Sequence, residues 1–297
     1  MTEAVPFQRW RVVVGVLAAA VVLMLVLGTG QGRGTASDFL AAFRGDRFEE
    51  AALSTDHIAN IEQTMTELER LGTVSGIETM PDPQPIASVG DASEFVGFTV
   101  LVPDPATLPE GVGETPAEVR VVPAHEIRFT FDLDKARDYV QSIGQGDVNL
   151  PERFDGTSLV VQTPASVVLQ YRHANVPADS PFGIGLIVGQ SGVVTVEADG
   201  GVTLDELQDF LLGLPGHSPE VVRQLLELDN WKTVLPMPIP VDQVYWERAT
   251  IAGSPGLLLN DNTGIGSAAL WERDGRIIGI AGAMKARELR DVAESFR

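Results

Sequence analysis

ALWERDGRIIGIAG (269–282) sets Trp271, Glu272, Arg273, Asp274 and Arg276 beside a glycine, a cluster that reads either as an active-site loop or as scaffold. Apolar residues alternate on both sides of Arg273-Asp274-Gly275. That pattern is a β-hairpin closed by a tight turn, because Asp-Gly accepts the positive φ angles that a two-residue turn demands. Trp271 is therefore expected to pack on the core, with Glu272 and Arg273 at the solvent end. The stretch is scaffold.

Working outward, AEVRVVP (117–123) and EIRFTFDL (126–133) are rich in β-branched and aromatic residues and read as strands, as does FVGFTVLVP (95–103). SLVVQTPASVVLQYR (158–172) reads as a hairpin through Thr163 and Pro164. GIGLIVGQSGVVTVEADG (183–200) reads as a second pair turning at Gln190 to Gly192. Residues 73–94, with PDPQP as their stiffest part, read as a loop.

Helices are signalled in between. DKARDYVQSIG (134–144) reads as a short helix with Asp132 or Asp134 as its cap, and Thr203 with Glu206 makes a capping box before LDELQDFLL. Ser218-Pro219 begins PEVVRQLLEL. Leu289, Val292, Ala293 and Phe296 share one face of a terminal helix. DFLAAFRGDRFEEAAL (38–53) reads as a short helix. STDHIANIEQTMTELERLG (54–72) reads as another, ended by a left-handed Gly72. LPMPIPVD (235–242) is extended or loop, since alternate prolines forbid helix.

Strands paired by hairpins with helices inserted singly indicate an α+β fold: a mostly antiparallel sheet, helices packed on one face. The chain is expected to form one elongated domain, or two lobes meeting near residue 146.

The formal charge of −20 excludes a nucleic-acid binder, since lysine occurs only at Lys135, Lys232 and Lys285 and the arginines are dispersed. With no cysteine there is no disulfide, thiolate metal site or lipid attachment at a lipobox cysteine. Compartment is read from the N-terminus instead. Val12, Val13, Val14, Leu17, Val21, Val22, Leu23, Leu25 and Leu27 belong to an uncharged apolar run directly behind Arg9 and Arg11. Residues 12–30 are long enough to span a bilayer as one transmembrane helix. The arginines hold the head, residues 1–11, in the cytoplasm. GTGQGRGTAS (28–37) lacks the GK[ST] of a phosphate loop and reads as a juxtamembrane linker from residue 31. Residues 38–297 then form an extracytoplasmic body tied to the cell membrane. The alternative is a secretory signal cleaved near GRGTAS.

Catalytic motifs fail individually. His125-Glu126-Ile127-Arg128-Phe129 has Phe where a zinc site needs its second histidine. His57, His173 and His217 are scattered. Gly189-Gln190-Ser191-Gly192 and Gly253-Ser254-Pro255-Gly256 miss the nucleophile-elbow spacing and read as turns. GIGLIVG (183–189) puts Val188 where a dinucleotide fingerprint needs glycine. Asn260-Asp261-Asn262-Thr263-Gly264 lacks the spacing of a calcium loop. Asp132 and Asp134 fit capping. No catalytic, metal or cofactor residue is assigned.

FTVLVPDPATLPEG (98–111), GSPGLLL (253–259), ALWERDGRIIGIAG and KARELRDVAESF (285–296) together resemble a poorly characterised family of bacterial single-pass membrane proteins. Some of its members have outer domains similar to anti-sigma-factor or lipoprotein-sorting-like proteins. The resemblance implies an α+β sensory or binding domain with a partner in the envelope and no assigned reaction. The function expected is a membrane-anchored binding or regulatory module without catalytic activity. Its alternatives are a carrier of a hydrophobic ligand such as a lipid, walled by SVVLQY and GIGLIV, and an envelope hydrolase using His125 or Ser191.

Overall fold

The computed structural model describes residues 50–53, 69–174, 176–177, 183–214, 237–240, 244–261 and 266–297. The apolar run 12–30, the linker, PEVVRQLLEL, most of the helix expected at 54–72, and His57 and His217 lie outside them. No helix among the described residues is long and apolar enough to cross a membrane.

The described fold is mostly antiparallel β-sheet with a few helices, and three long chain segments organise it. The first is β4 (Glu118–Val122) and β5 (His125–Phe131), separated only by Pro123 and Ala124. The second is β6 (Ser158–Thr163) and β7 (Ser166–Arg172), separated by Pro164 and Ala165. The third is β8 (Ile184–Gly192) and β9 (Thr195–Asp199), separated by Val193 and Val194. Each segment leaves one sheet and enters another. β4, β7 and β8 are neighbours in an eight-stranded sheet, whereas β5, β6 and β9 are neighbours in a four-stranded one.

The register does not slip at the crossing. Val122 pairs with Ser166, and three residues further along one strand and three back along the other, His125 pairs with Thr163. Likewise Ser166 pairs with Ser191, and Gln162 with Thr195. The three segments therefore form one antiparallel ribbon interrupted at its waist, where two prolines lack the N–H a ladder needs.

This overturns both expected hairpins. Thr163-Pro164 is not a turn, because β6 and β7 run on in the same direction and pair with different strands. Gln190 to Gly192 is not a turn either: all three residues lie in β8, and Ser191 pairs with both Ser166 and Ile277. Proline and glycine in these stretches mark a ladder break and close packing. A Cβ on Gly192 would press on the Pro164 ring at 3.1 Å.

One alternation of side chains serves both halves of the ribbon. Val119 and Val121, then Ile127, Phe129 and Phe131, are buried on a single face of the first segment. Around them lie two cores. The larger packs Val167, Leu169, Tyr171, Leu186 and Val188 under α1 (Val89–Val96) and α4 (Ala286–Glu294). The smaller packs Leu159 and Val161 with residues of α2 (Leu133–Ser142) and α3 (Leu204–Leu212). There Phe210 stacks on Phe154 at 4.0 Å and meets Phe131 edge-on at 5.0 Å. Each core draws on several stretches of chain, and residue 146 lies in the segment that builds the smaller one.

Two hairpins extend the larger sheet beyond β8. β13 (Ser267–Arg273) and β14 (Arg276–Gly282) turn through Asp274 at φ 55 and Gly275 at φ 71, as their sequence requires. Trp271 is fully buried and meets the Phe296 ring edge-on at 5.5 Å. β11 (Val244–Ile251) and β12 (Ser254–Asp261) turn through Ala252 and Gly253. Ser254, Pro255 and Gly256 are thus strand and not the turn expected of them. Leu289, Val292, Ala293 and Phe296 of the terminal helix all face the larger core.

FVGFTVLVP is not a strand. Ser88 caps α1 by accepting from the Asp91 N–H, and Gly97, left-handed at φ 75, ends it. That helix also replaces part of the expected loop 73–94, together with β2 (Gly72–Ser75) and β3 (Gln84–Pro85). Gly72 is not a left-handed cap but the first residue of β2, where a Cβ would collide with the Thr130 carbonyl oxygen and the Phe129 ring. Residues 98–104 then run as an extended strap held by side chains. The buried Gln190 amide accepts from the Leu101 N–H at 2.9 Å and donates to its carbonyl at 2.6 Å. Val102 exchanges two backbone bonds with Arg297, and Arg276 donates to the Thr99 carbonyl. EAAL (50–53), expected in a helix, is strand β1 and pairs in parallel with β10 (Met237–Pro240).

Gln190→Leu is expected to lower unfolding free energy by about 2–4 kcal/mol, since it leaves a buried N–H and carbonyl of Leu101 unpaired. Ala252→Asn, which suits positive φ better, should raise it by roughly 0.5–1 kcal/mol. Urea unfolding midpoints of the two variants check both.

Candidate polar recognition face

The ribbon face turned away from the cores carries the main polar network among the described residues. In the four-stranded sheet the alternation that buries Ile127 and Phe129 leaves Glu126, Arg128 and Thr130 of β5 on this side. Their register partners are Gln162, Val160 and Ser158. Those in turn pair with Thr195, Glu197 and Asp199 of β9. Across the waist, Arg120 and Glu118 of β4 pair with Val168 and Gln170.

Arg128 is the centre of the network. Its Nε and Nη2 donate to the Glu126 carboxylate at 3.2 and 3.0 Å, and its Nη1 donates to Asp199 at 2.8 Å. The bond to Asp199 is the first cause that raises the guanidinium pKa, with Glu126 second. In return Arg128, and then the Gly200 N–H, hold the Asp199 carboxyl below its ordinary value. Val160 is buried although it lies on this polar side, opposite both Arg128 and Glu197. Thr130 and Ser158 share a hydrogen bond of 2.9 Å. Nearer the waist Arg120 binds Glu118 at 2.6 Å.

The arrangement orients charges of both signs: Glu118, Glu126, Glu197 and Asp199 share the face with Arg120, Arg128 and Arg172, and Lys135 reaches its edge at Thr73.

The residues weighed in sequence are not brought together. His125 Nε2 lies 2.6 Å from the Gly76 carbonyl oxygen in the four-stranded sheet, while Ser191 lies in the eight-stranded one. His173 bridges to Val112 at the far end of β7. Asp132 caps α2 by accepting from the Asp134 and Lys135 N–H groups, both at 3.0 Å, and Asp134 pairs with Arg137. Thr203 and Glu206 form their capping box. There the Thr203 N–H donates at 2.9 Å and keeps the Glu206 carboxyl below its usual range. No group of three or more His, Cys, Asp or Glu residues able to hold a metal occurs among the described residues. Asn262 to Gly264 lie outside them. The Arg128 triad was missed because its members are spread from residue 126 to residue 199, and only the register of β5 on β6 and of β6 on β9 unites them.

No family model, curated protein or solved structure matches the chain.

Because the folded-state pKa of Asp199 is depressed, its contribution is present above the unfolded value and is lost as pH falls through the folded one. Carboxyl-carbon NMR titration should therefore find Asp199 titrating below an ordinary aspartate, and Arg128→Gln should return it toward that value. An unchanged midpoint in the variant would show that the pair is not formed in solution.

Proposed function

We propose that the protein is a membrane-anchored binding or regulatory module whose main body, residues 38–297, lies outside the cytoplasm and recognises a cationic partner in the envelope. The observation that carries the anchoring is the uncharged run Val12–Leu27 behind Arg9 and Arg11. Extended through Gly28 to Gly30 the run reaches the length of a bilayer crossing, and its flanking charge favours a head inside. The recognition half is supported by the formal charge of −20 and by the ordered carboxylates on the ribbon's polar face. Side chains held by paired bonds, as Arg128 is, present charge in a fixed geometry without the entropy cost of ordering it on contact. The resemblance to single-pass bacterial proteins with sensory outer domains belongs to the same proposal.

The test is a topology assay on the full chain in bacterial cells, tagged at both ends. Retention in the membrane through an alkaline carbonate wash, with the body alone cut by external protease, is the expected result. Leu23→Arg, which costs about 2.5–3.5 kcal/mol at the centre of a span, should release a measurable fraction. A body protected from protease overturns the orientation. A soluble product starting near Gly32–Ser37 replaces the anchor with a cleaved signal.

A further inference from the structure

The chain contains three Asp-Gly steps, Asp155-Gly156, Asp199-Gly200 and Asp274-Gly275. In such a step the glycine nitrogen, unshielded by a side chain, can reach the carbon of the preceding carboxyl. The fold treats the three differently. The Gly156 N–H is committed to the Phe131 carbonyl at 3.0 Å, and the Asp155 carboxylate accepts from the Leu133 N–H at 3.0 Å. Gly275 sits inside the tight turn between β13 and β14, where the Asp274 carboxylate pairs loosely with Arg276 at 3.4 Å and Arg273 at 3.8 Å. Of the three, Asp199 alone has the next nitrogen aimed at its own carboxylate: the Gly200 N–H donates to Oδ1 at 2.8 Å.

The surroundings favour chemistry at that contact. Asp199 is the last residue of β9, and Gly200 and Gly201 follow it at φ 102 and 82. Asp199 and Gly200 are both exposed, so water reaches them. Gly200 cannot be exchanged freely, since its backbone is in the left-handed region and a Cβ there would lie 2.9 Å from Thr157 Cα. The fold therefore demands glycine, and with it the bare nitrogen. Arg128 opposes the reaction. Its bond to Oδ2 at 2.8 Å helps keep the carboxyl ionised, and a carboxylate is a poorer electrophile than the neutral acid. The contact selects the place, and the ion pair makes the reaction slow.

We propose that Asp199-Gly200 is a site of spontaneous covalent modification, at which the aspartate becomes isoaspartate through a cyclic imide. The Gly200 nitrogen attacks Cγ of the protonated carboxyl and an N–C bond forms. One carboxyl oxygen leaves as water, taking the amide proton and the carboxyl proton. Water then adds to one of the two imide carbonyls. Cleavage of the new bond to Cγ restores aspartate, whereas cleavage at the main-chain carbonyl leaves the chain running through the side-chain carbon. No oxidant or reductant takes part. The product has an extra methylene in the main chain between β9 and α3, and its free carboxylate is carried on Cα. That carboxylate is displaced from Arg128, which retains Glu126, and the triad of the polar face is undone. The inference concerns the triad itself and needs neither the anchor nor a partner.

The experiment ages the full-length protein for weeks at neutral pH, folded in detergent micelles or unfolded in urea. After digestion, electron-transfer fragmentation distinguishes isoaspartate from aspartate at each of the three steps. In the folded protein isoaspartate should accumulate at residue 199 about tenfold or more faster than at 155 or 274, a modest factor for an oriented intramolecular attack. In urea, where the orientation is lost, the three rates should converge. Arg128→Gln should hasten the gain at residue 199 and leave the other two steps unchanged. Isoaspartate appearing first at residue 155 or 274 overturns the proposal, as does its absence from residue 199. A preference for residue 199 that persists undiminished in urea belongs to the local Gly-Gly sequence, and it too overturns a site made by the fold. The decisive comparison is made within the unaltered chain, so it holds even if the Arg128 variant misfolds.

Discussion

A single strand register, carried across the waist of three long segments and shifting only at the far end where Arg172 meets Ile184, is the constraint on which the structure depends. Because side chains alternate with period two, moving any of the three by one residue would turn Val119, Phe129 and their fellows out of both cores at once. Two hydrophobic clusters therefore enforce one pairing, and that pairing fixes where everything else attaches. The hairpin β13–β14 joins through β8, and α2 and α3 close the smaller core below the waist. The polar network around Arg128 has its geometry for the same reason. Glu126 and Asp199 meet one guanidinium only because β5, β6 and β9 keep step.

The interruption at the waist is as informative as the pairing. Pro123 and Pro164 fall where β4 gives way to β5 and β6 to β7, so the donors missing from the ladder are concentrated in one place. Strand direction continues through the gap, and the prolines act as breaks in bonding that leave the register intact. The strap 98–104 solves a related problem by other means. With no neighbouring strand along its length, it has its backbone groups bonded by Gln190, by Arg276 and by the end of the chain at Arg297.

Much of this was legible in local sequence. Asp274-Gly275 specified its turn, Asp132 and Thr203 their caps, and the spacing of Leu289, Val292, Ala293 and Phe296 the buried side of the last helix. Those features depend on neighbours in the chain, and short-range chemistry states them. The two failed hairpins mark the limit of that reading. A proline or glycine between two apolar runs looks alike whether the chain reverses or merely loses a hydrogen bond, and only the partners in space decide. The strap failed similarly: Thr99 to Val102 are good strand formers, but their bonding partner is a side chain almost ninety positions away. The Arg128 triad had no local signal, since its carboxylates are brought together by register alone.

The order in which the ribbon can be completed has a consequence for biosynthesis. Its third strand ends at Asp199, so neither core can close while the chain is shorter than that. Even then β8 has an open side until β14, ending at Gly282, is made and pairs with it. Pairings this distant along the chain are slow to form, and an incomplete sheet displays edges that attract other chains. A nascent chain of this protein is thus most vulnerable to aggregation between the synthesis of β8 and that of β14. Factors that hold the nascent chain would act in that interval.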